Sequence, residues 1–255
     1  MFETLSLSWH VVVRNWVVYK KDFIANISPT VADPLLVLFS LGFGLSGHIG
    51  SIDGLTYSQF LAPGLIASTA LFTAFFDCSY GFYVTMTFEN IYKAMLTTPT
   101  GPREILIGQF LWIFLKGAMM ALGVAFVVFC FGLVDPWLLP IFSLLGGFLA
   151  IPCGAIGLIS AAAVHNINQF QSIYSFLIAP IYFLSGVFFP IQSLPASIGW
   201  ILHISPFFHG VRLVQMTAWN KVDPGQAAYH VLMLVAFSLI LGFWAFRKIQ
   251  AKLVS

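Results

Sequence analysis

Residues 136–211 contain no Asp, Glu, Lys or Arg. Across the whole chain charged residues make up 8%, whereas a water-soluble domain carries roughly a quarter. With 59% hydrophobic residues and a mean hydropathy of +0.93, a hydrated surface is excluded and the solvent must be lipid. The few charges sum to +2 and are scattered, which excludes the clustered basic face of a nucleic-acid binder. Only three cysteines are present, Cys78, Cys130 and Cys153. Their odd number and wide spacing suit neither a disulfide framework nor a zinc site, and all three read as small buried hydrophobes. His203 and His209 stand six apart without nearby carboxylates, so no metal or other cofactor is expected. There is no phosphate-binding G-x-x-x-x-G-K-[ST] loop, no G-x-S-x-G elbow, no H-E-x-x-H and no carboxylate pair set for hydrolysis. The chain is not expected to be an enzyme.

What is present is a series of apolar runs. A bilayer core of about 30 Å takes about 20 apolar residues in helical form, because every backbone N–H and C=O must be paired inside the segment. That ruler marks six spans, 29–47, 60–83, 105–133, 138–164, 173–189 and 227–246, and predicts an all-α integral membrane fold occupying 1–255 as one domain. An even count puts both termini on one side. Arg14, Lys20, Lys21, Lys93, Arg103, Arg247, Lys248 and Lys252 then share that side, against Arg212 and Lys221 on the other, so the termini are expected in the cytoplasm.

Three segments outside the spans carry pattern. Over 1–25, Leu5, Trp9, Val12 and Trp16 recur at helical spacing opposite Arg14 and Lys21, which predicts a helix lying in the membrane interface; a frayed extension into span one is the alternative. Residues 86–98 have helical character, with Glu89 and Lys93 one turn apart and Pro99, Gly101 and Pro102 as terminators. Such a helix either presents a rigid knob to a cytoplasmic partner or only caps the bundle. The 190–225 connection is long yet oily, with Trp200, Ile201, Phe207 and Phe208 among Pro195, Pro206 and Gly210. It predicts short extracytoplasmic helices that dip back or pack on the bundle.

Within the spans, Asp33, Asp77 and Lys116 are the candidates for an ion path, since charges in a bilayer are costly. Asp33 and Asp77 also lie near span ends, and Lys116 can snorkel or pair with a carboxylate. Phe72, Phe75, Phe76 and Phe82 on span two, with Tyr174, Phe176, Tyr182 and Phe183 on span five, either dissolve in acyl chains or line a path for an amphiphile.

Three stretches carry a family resemblance: Tyr57-Ser58-Gln59-Phe60-Leu61-Ala62-Pro63-Gly64-Leu65, Ile91-Tyr92-Lys93-Ala94-Met95-Leu96-Thr97-Thr98-Pro99, and Phe183-Leu184-Ser185-Gly186-Val187-Phe188-Phe189-Pro190 followed by Leu194-Pro195 and Ser205-Pro206. In this order, over essentially the full length, the chain resembles the ABC-2 type permeases, nearest their nodulation J branch. The resemblance implies the membrane subunit of an ATP-driven exporter in the bacterial inner membrane. Two permease copies would pair with two separate ATPase chains that bind ATP and magnesium. It implies that 86–98 is a coupling helix whose Glu89, Tyr92, Lys93, Met95 and Leu96 meet the ATPase. Where many relatives have a basic residue before that Glu, this chain has Met86, Thr87 and Phe88. It also implies that spans two and five face the cavity, making Phe72, Phe75, Phe76, Tyr174 and Tyr182 the substrate path for a lipid-linked glycan, a lipo-oligosaccharide or another amphiphile such as a drug or lipid. An ion-coupled secondary transporter is the competing reading; it would be expected to show inverted repeats, and none is evident. A membrane scaffold is a third.

Overall fold

The computed structural model describes residues 2–48, 51–52, 54–193, 199–200 and 202–254. In chain order the helices are α1 (Phe2–Lys21), α2 (Phe23–Phe43), α3 (Tyr57–Thr87), α4 (Ile91–Met95), α5 (Pro102–Cys130), α6 (Pro136–Ala163), α7 (169–184), α8 (Pro206–Ala218) and α9 (Pro224–Val254). Among the described residues there is no strand beyond an isolated Ile52–Leu55 bridge. Five helices, α2, α3, α5, α6 and α9, are long and apolar enough to cross a bilayer.

The segment expected as span five behaves differently. Helix α7 measures about 24 Å at 1.5 Å per residue, short of the hydrocarbon thickness. It ends before 189 because Gly186 takes φ +83, a left-handed conformation that stops a helix. The turn it makes lies on α3, where a Cβ added at Gly64 would come 2.9 Å from Val187. Tyr57 donates its hydroxyl to the Phe188 carbonyl at 3.1 Å, closing the same contact.

Helix α3 is the hub. It starts with a reciprocal cap, the Gln59 N–H donating to Thr56 Oγ1 at 3.4 Å and the Thr56 N–H to Gln59 Oε1 at 3.0 Å. From Tyr57 to Phe75 nearly every residue is buried, enclosed by α5, α6 and α8. Helices α5 and α6 form the most extensive pair, with Gly117 against Ala150 and Gly146 against Ala121 at the crossing. Small residues four apart let backbones approach where lipid provides no hydrophobic drive. The C-terminus of α6 is capped by Lys252 of α9, whose Nζ donates to the carbonyls of Ala161, Ala162 and Val164 at 3.0, 3.2 and 3.0 Å. Helix α9 otherwise leaves Leu239, Ile240, Phe243 and Trp244 exposed, the signature of a face turned to lipid.

Several expectations change. Helix α1 forms, but the face it presses on α5 is Ser8, Val11, Val12 and Tyr19, while Leu5 and Trp9 face outward and Trp16 lies at the edge of the contact, its ring 6.4 Å from that of Trp112. Cys78 and Cys153 are buried, whereas Cys130 is exposed, because it is the last residue of α5. The oily 190–225 connection contains a short 3-10 turn at Ile191–Ser193 and α8, whose Phe207, Phe208 and Val211 are buried against protein. Leu194, Pro195 and Ile201 lie outside the described residues.

Candidate functional site

A cavity of about 620 Å³ opens between α1, α2, α3, α5 and α7, within the range of small-molecule sites. Its two ends differ in chemistry. One wall is aromatic: Phe72 meets Tyr182 edge-on at 4.8 Å between centroids, and Phe76 lies 5.7 Å from Tyr174. These pairs bridge α3 to α7, so the wall is shared by two helices with few other contacts between them.

The other end is polar. Here α3 takes a π turn over Asp77–Gly81, a widening of the helix frequent at functional sites. Asp77 forms an ion pair with Lys116 of α5 and accepts from Gln109 Nε2 at 3.2 Å. Gln109 Oε1 in turn accepts from Asn15 Nδ2 at 3.2 Å, and Asn15 Oδ1 from Arg14 Nη1 at 3.0 Å. The result is a chain of polar groups running from α1 through α5 to α3. The Lys116 ammonium also lies 5.4 Å from the Tyr19 ring. Of the two sequence alternatives for Lys116, pairing with a carboxylate is the one found.

Of the five residues implied as a substrate path, Phe72, Phe76, Tyr174 and Tyr182 line this cavity. Phe75 does not; its ring is wholly buried in the core. Phe82, although buried, does line the cavity, and Phe176 and Phe183 are exposed away from it. Asp33 lines the cavity from α2. Sequence reasoning missed Asn15, Gln109 and Trp112. Gln109 did leave a signal, being a polar residue two turns before Lys116 on the same face of an apolar helix.

The expected coupling helix is shorter than 86–98. Asn90 sits at φ 53, and this left-handed residue separates α3, which runs to Thr87, from α4, Ile91–Met95. Glu89 and Lys93 therefore do not share a helix, and no ion pair joins them. Both are exposed, Met95 and Leu96 are half-buried, and Tyr92 is 2% exposed, stacked on Phe82 at 4.6 Å. Burial pushes the Tyr92 phenol up from its ordinary pKa. Tyr92 and Glu89 also line the cavity, which ties α4 to the polar end. Phe88, which the sequence reading noted only for its lack of charge, is 61% exposed at the tip of the same turn.

The model of the ABC-2 type transporter family matches residues 7–219. The chain is 31% identical to Nodulation protein J of Rhizobium leguminosarum bv. trifolii, covering 98% of this chain and 95% of that one. It is likewise 31% identical to Nodulation protein J of Azorhizobium caulinodans, with 97% of each covered. At 22% it is similar to the inner membrane transport permease YadH of Escherichia coli, over 75% of this chain and 74% of the relative.

Proposed function

The chain belongs to the ABC-2 type transporter family, and from that premise we propose that it is the permease of an ATP-driven exporter of amphiphiles. It is a multi-pass membrane protein. In the proposed arrangement α7 together with the buried turn that follows it completes six passages, both termini lie on the cytoplasmic side of the inner membrane, and two copies assemble with two ATPase chains. The 213-residue family match itself leaves cargo open, and the observation that carries the reading is the two-ended cavity. Its aromatic wall suits acyl chains or the apolar faces of sugars, and its charged end suits a polar head. A lipid-linked glycan or lipo-oligosaccharide-like molecule is the cargo class this polarity favours.

Energy enters through α4. The exposed group Phe88, Glu89 and Lys93 offers an apolar and charged knob to an ATPase cleft, while Tyr92 on the hidden face rests on Phe82. A push on the knob would thus reach the segment of α3 that holds Asp77. Alternating access follows if the cavity opens to one side in each nucleotide state. The ion-coupled alternative needs a carboxylate free to exchange charge; the Asp77–Lys116 pairing removes Asp77 from that role and leaves Asp33 as its candidate.

The test is purification of the full-length chain from its native membrane. A nucleotide-binding ATPase should accompany it, and Phe88→Ala with Lys93→Glu should release that partner while leaving the permease monodisperse. Solute movement at full rate in vesicles without nucleotide would sink the proposal.

A further inference from the structure

We propose that the opposite face of the protein carries a second site, an anion pocket that grips the phosphodiester headgroup of an acidic phospholipid with Arg212 and Lys221. A cavity of about 150 Å³ lies between the turn after α7, the later half of α8 and the loop into α9. Its polar lining is made by Arg212, Lys221, Gln192, Gln226 and the Asp223 carboxylate, and Trp219 also lines it.

The charge distribution of the chain draws attention to this pocket. Setting Lys116 aside, eight of the remaining Lys and Arg residues fall on the side of the termini, and the two exceptions both line this cavity. Cations on a translocated side are disfavoured during insertion, so two held together call for a reason. Neither has a carboxylate within ion-pair distance among the described residues, where the one ion pair is Lys116 with Asp77. The Asp223 carboxylate accepts from the Gly225 N–H at 3.1 Å, an anchor at the start of α9. Arg212 Nη1 donates only weakly, to Gln215 Oε1 at 3.4 Å, and the Gln215 amide nitrogen is committed to the Gly186 carbonyl at 2.8 Å. A half-buried guanidinium without an anion has lost part of its hydration and gained little in return.

Shape and rigidity narrow the ligand. The volume lies below the range of drug-sized ligands and so excludes an oligosaccharide, while a phosphodiester with a small alcohol fits. The guanidinium fork and a nearby ammonium match phosphate oxygens. Trp219 is fixed, stacked on Phe60 at 5.4 Å with its indole N–H on the Gln59 carbonyl at 3.2 Å, and indoles favour headgroup depth. The site rests on the proposed topology for the leaflet it faces and for the charge asymmetry that draws attention to it; its chemistry stands apart from it. Soluble phosphate shares that chemistry, and the experiment separates the two sources.

The full-length chain is reconstituted in nanodiscs of phosphatidylcholine with or without phosphatidylglycerol, and lipid retained on release into detergent is counted by native mass spectrometry. Wild type should keep phosphatidylglycerol in preference, and Arg212→Gln with Lys221→Gln should lower that retention about tenfold. Lys93→Gln on the opposite face should leave it intact. Equal retention by wild type and the double variant overturns the proposal. If the double variant does not fold, Lys221→Gln alone, on an exposed side chain, should still lower retention, and wild-type retention by it overturns the proposal in the same way. Thermal protection by inorganic phosphate in phosphatidylcholine discs, without any phosphatidylglycerol preference, overturns the lipid assignment in favour of a soluble anion. Impermeant maleimide labelling of Lys221→Cys in a Cys130→Ser background reads the leaflet independently. Absence of label from outside refutes the topology without touching the lipid preference.

Discussion

Replacing Lys116 by Met removes the cation facing Asp77 and leaves a carboxylate in the cavity with one amide donor, Gln109. Removing one partner of a fully buried pair costs about 3–5 kcal/mol. Here the side chains of Lys116 and Asp77 keep 13% and 18% of their exposure beside a polar cavity. The cost should therefore fall to about 2–3 kcal/mol, since water reaches the stranded charge. At this chain length that corresponds to about 4–12 °C in thermal midpoint. The reverse change, Asp77→Asn, should cost less: a lysine stem can carry its ammonium toward the polar end, whereas a short carboxylate cannot move. The decisive sample is the double variant, which leaves no stranded charge and keeps the amide acceptor for Gln109. It should be more stable than Lys116→Met alone, giving a coupling of the two sites well above experimental error. Midpoints are read by fluorescence-detected size exclusion after heating in one detergent. The reasoning is wrong if Lys116→Met melts with wild type, or if the two changes simply add.

At the α5/α6 crossing, Gly146→Val should abolish monodisperse expression because its Cβ would overlap Ala121, while Gly123→Ala, whose nearest neighbour is Val31 Cγ2 at 4.0 Å, should express normally. Paired Ala substitutions at Phe76 and Tyr174 should slow export while ATPase association survives; normal export in a well-expressed protein counts heavily against the aromatic wall as a cargo path. Phe75→Ala should instead act on stability, by about 3–5 kcal/mol, because its ring fills the core and not the cavity. Lys252→Met should lower the thermal midpoint, since three carbonyls at the end of α6 lose their donor; an unchanged midpoint would show that water replaces it.

The helical class and the apolar crossings were legible because lipid imposes one rule on every residue of a span, and residues such as Leu61, Leu149 and Leu239 satisfy it whether they face protein or acyl chains. That same indifference hid which face is which. Phe72, Phe75 and Phe76 read alike in sequence, yet their ring directions differ because successive helical positions are rotated by 100°, and only packing against α6 decides that Phe75 points inward. The break at Asn90 was invisible for another reason. Glu89 and Lys93 have the spacing of a helical pair, and a single left-handed residue between them overrides that preference at small cost for Asn. The short α7 was masked by its composition, which stays apolar past Gly186 because the following turn is buried against α3.

Two of the three stretches that carried the family resemblance turn out to be opposite sides of one contact. Gly64 receives Val187, Tyr57 holds the Phe188 carbonyl, and Gln215 of α8 holds the carbonyl of Gly186. That junction fixes the C-terminal end of α7 to the N-terminal part of α3 and to the C-terminal half of α8. Toward its N-terminus α7 meets α3 through the rings of Tyr174 with Phe72 and Phe76 and of Phe170 with Tyr80 and Tyr83, contacts that a cargo or a shift of α3 can exchange one at a time. The Tyr182–Phe72 pair belongs instead to the pinned end. An element pinned at one end and held by separable ring contacts at the other is suited to pivot. The pivot would widen the cavity on the side of α4, where Tyr92 and Phe82 link the exposed knob to α3. Stiffening that end, by a reducible bis-thiosulfonate linker between Phe76→Cys and Tyr174→Cys in a background lacking the native cysteines, should arrest export and leave ATP turnover by the partner chains running; reduction should restore it. Unimpeded export with the bridge closed would place the moving element elsewhere.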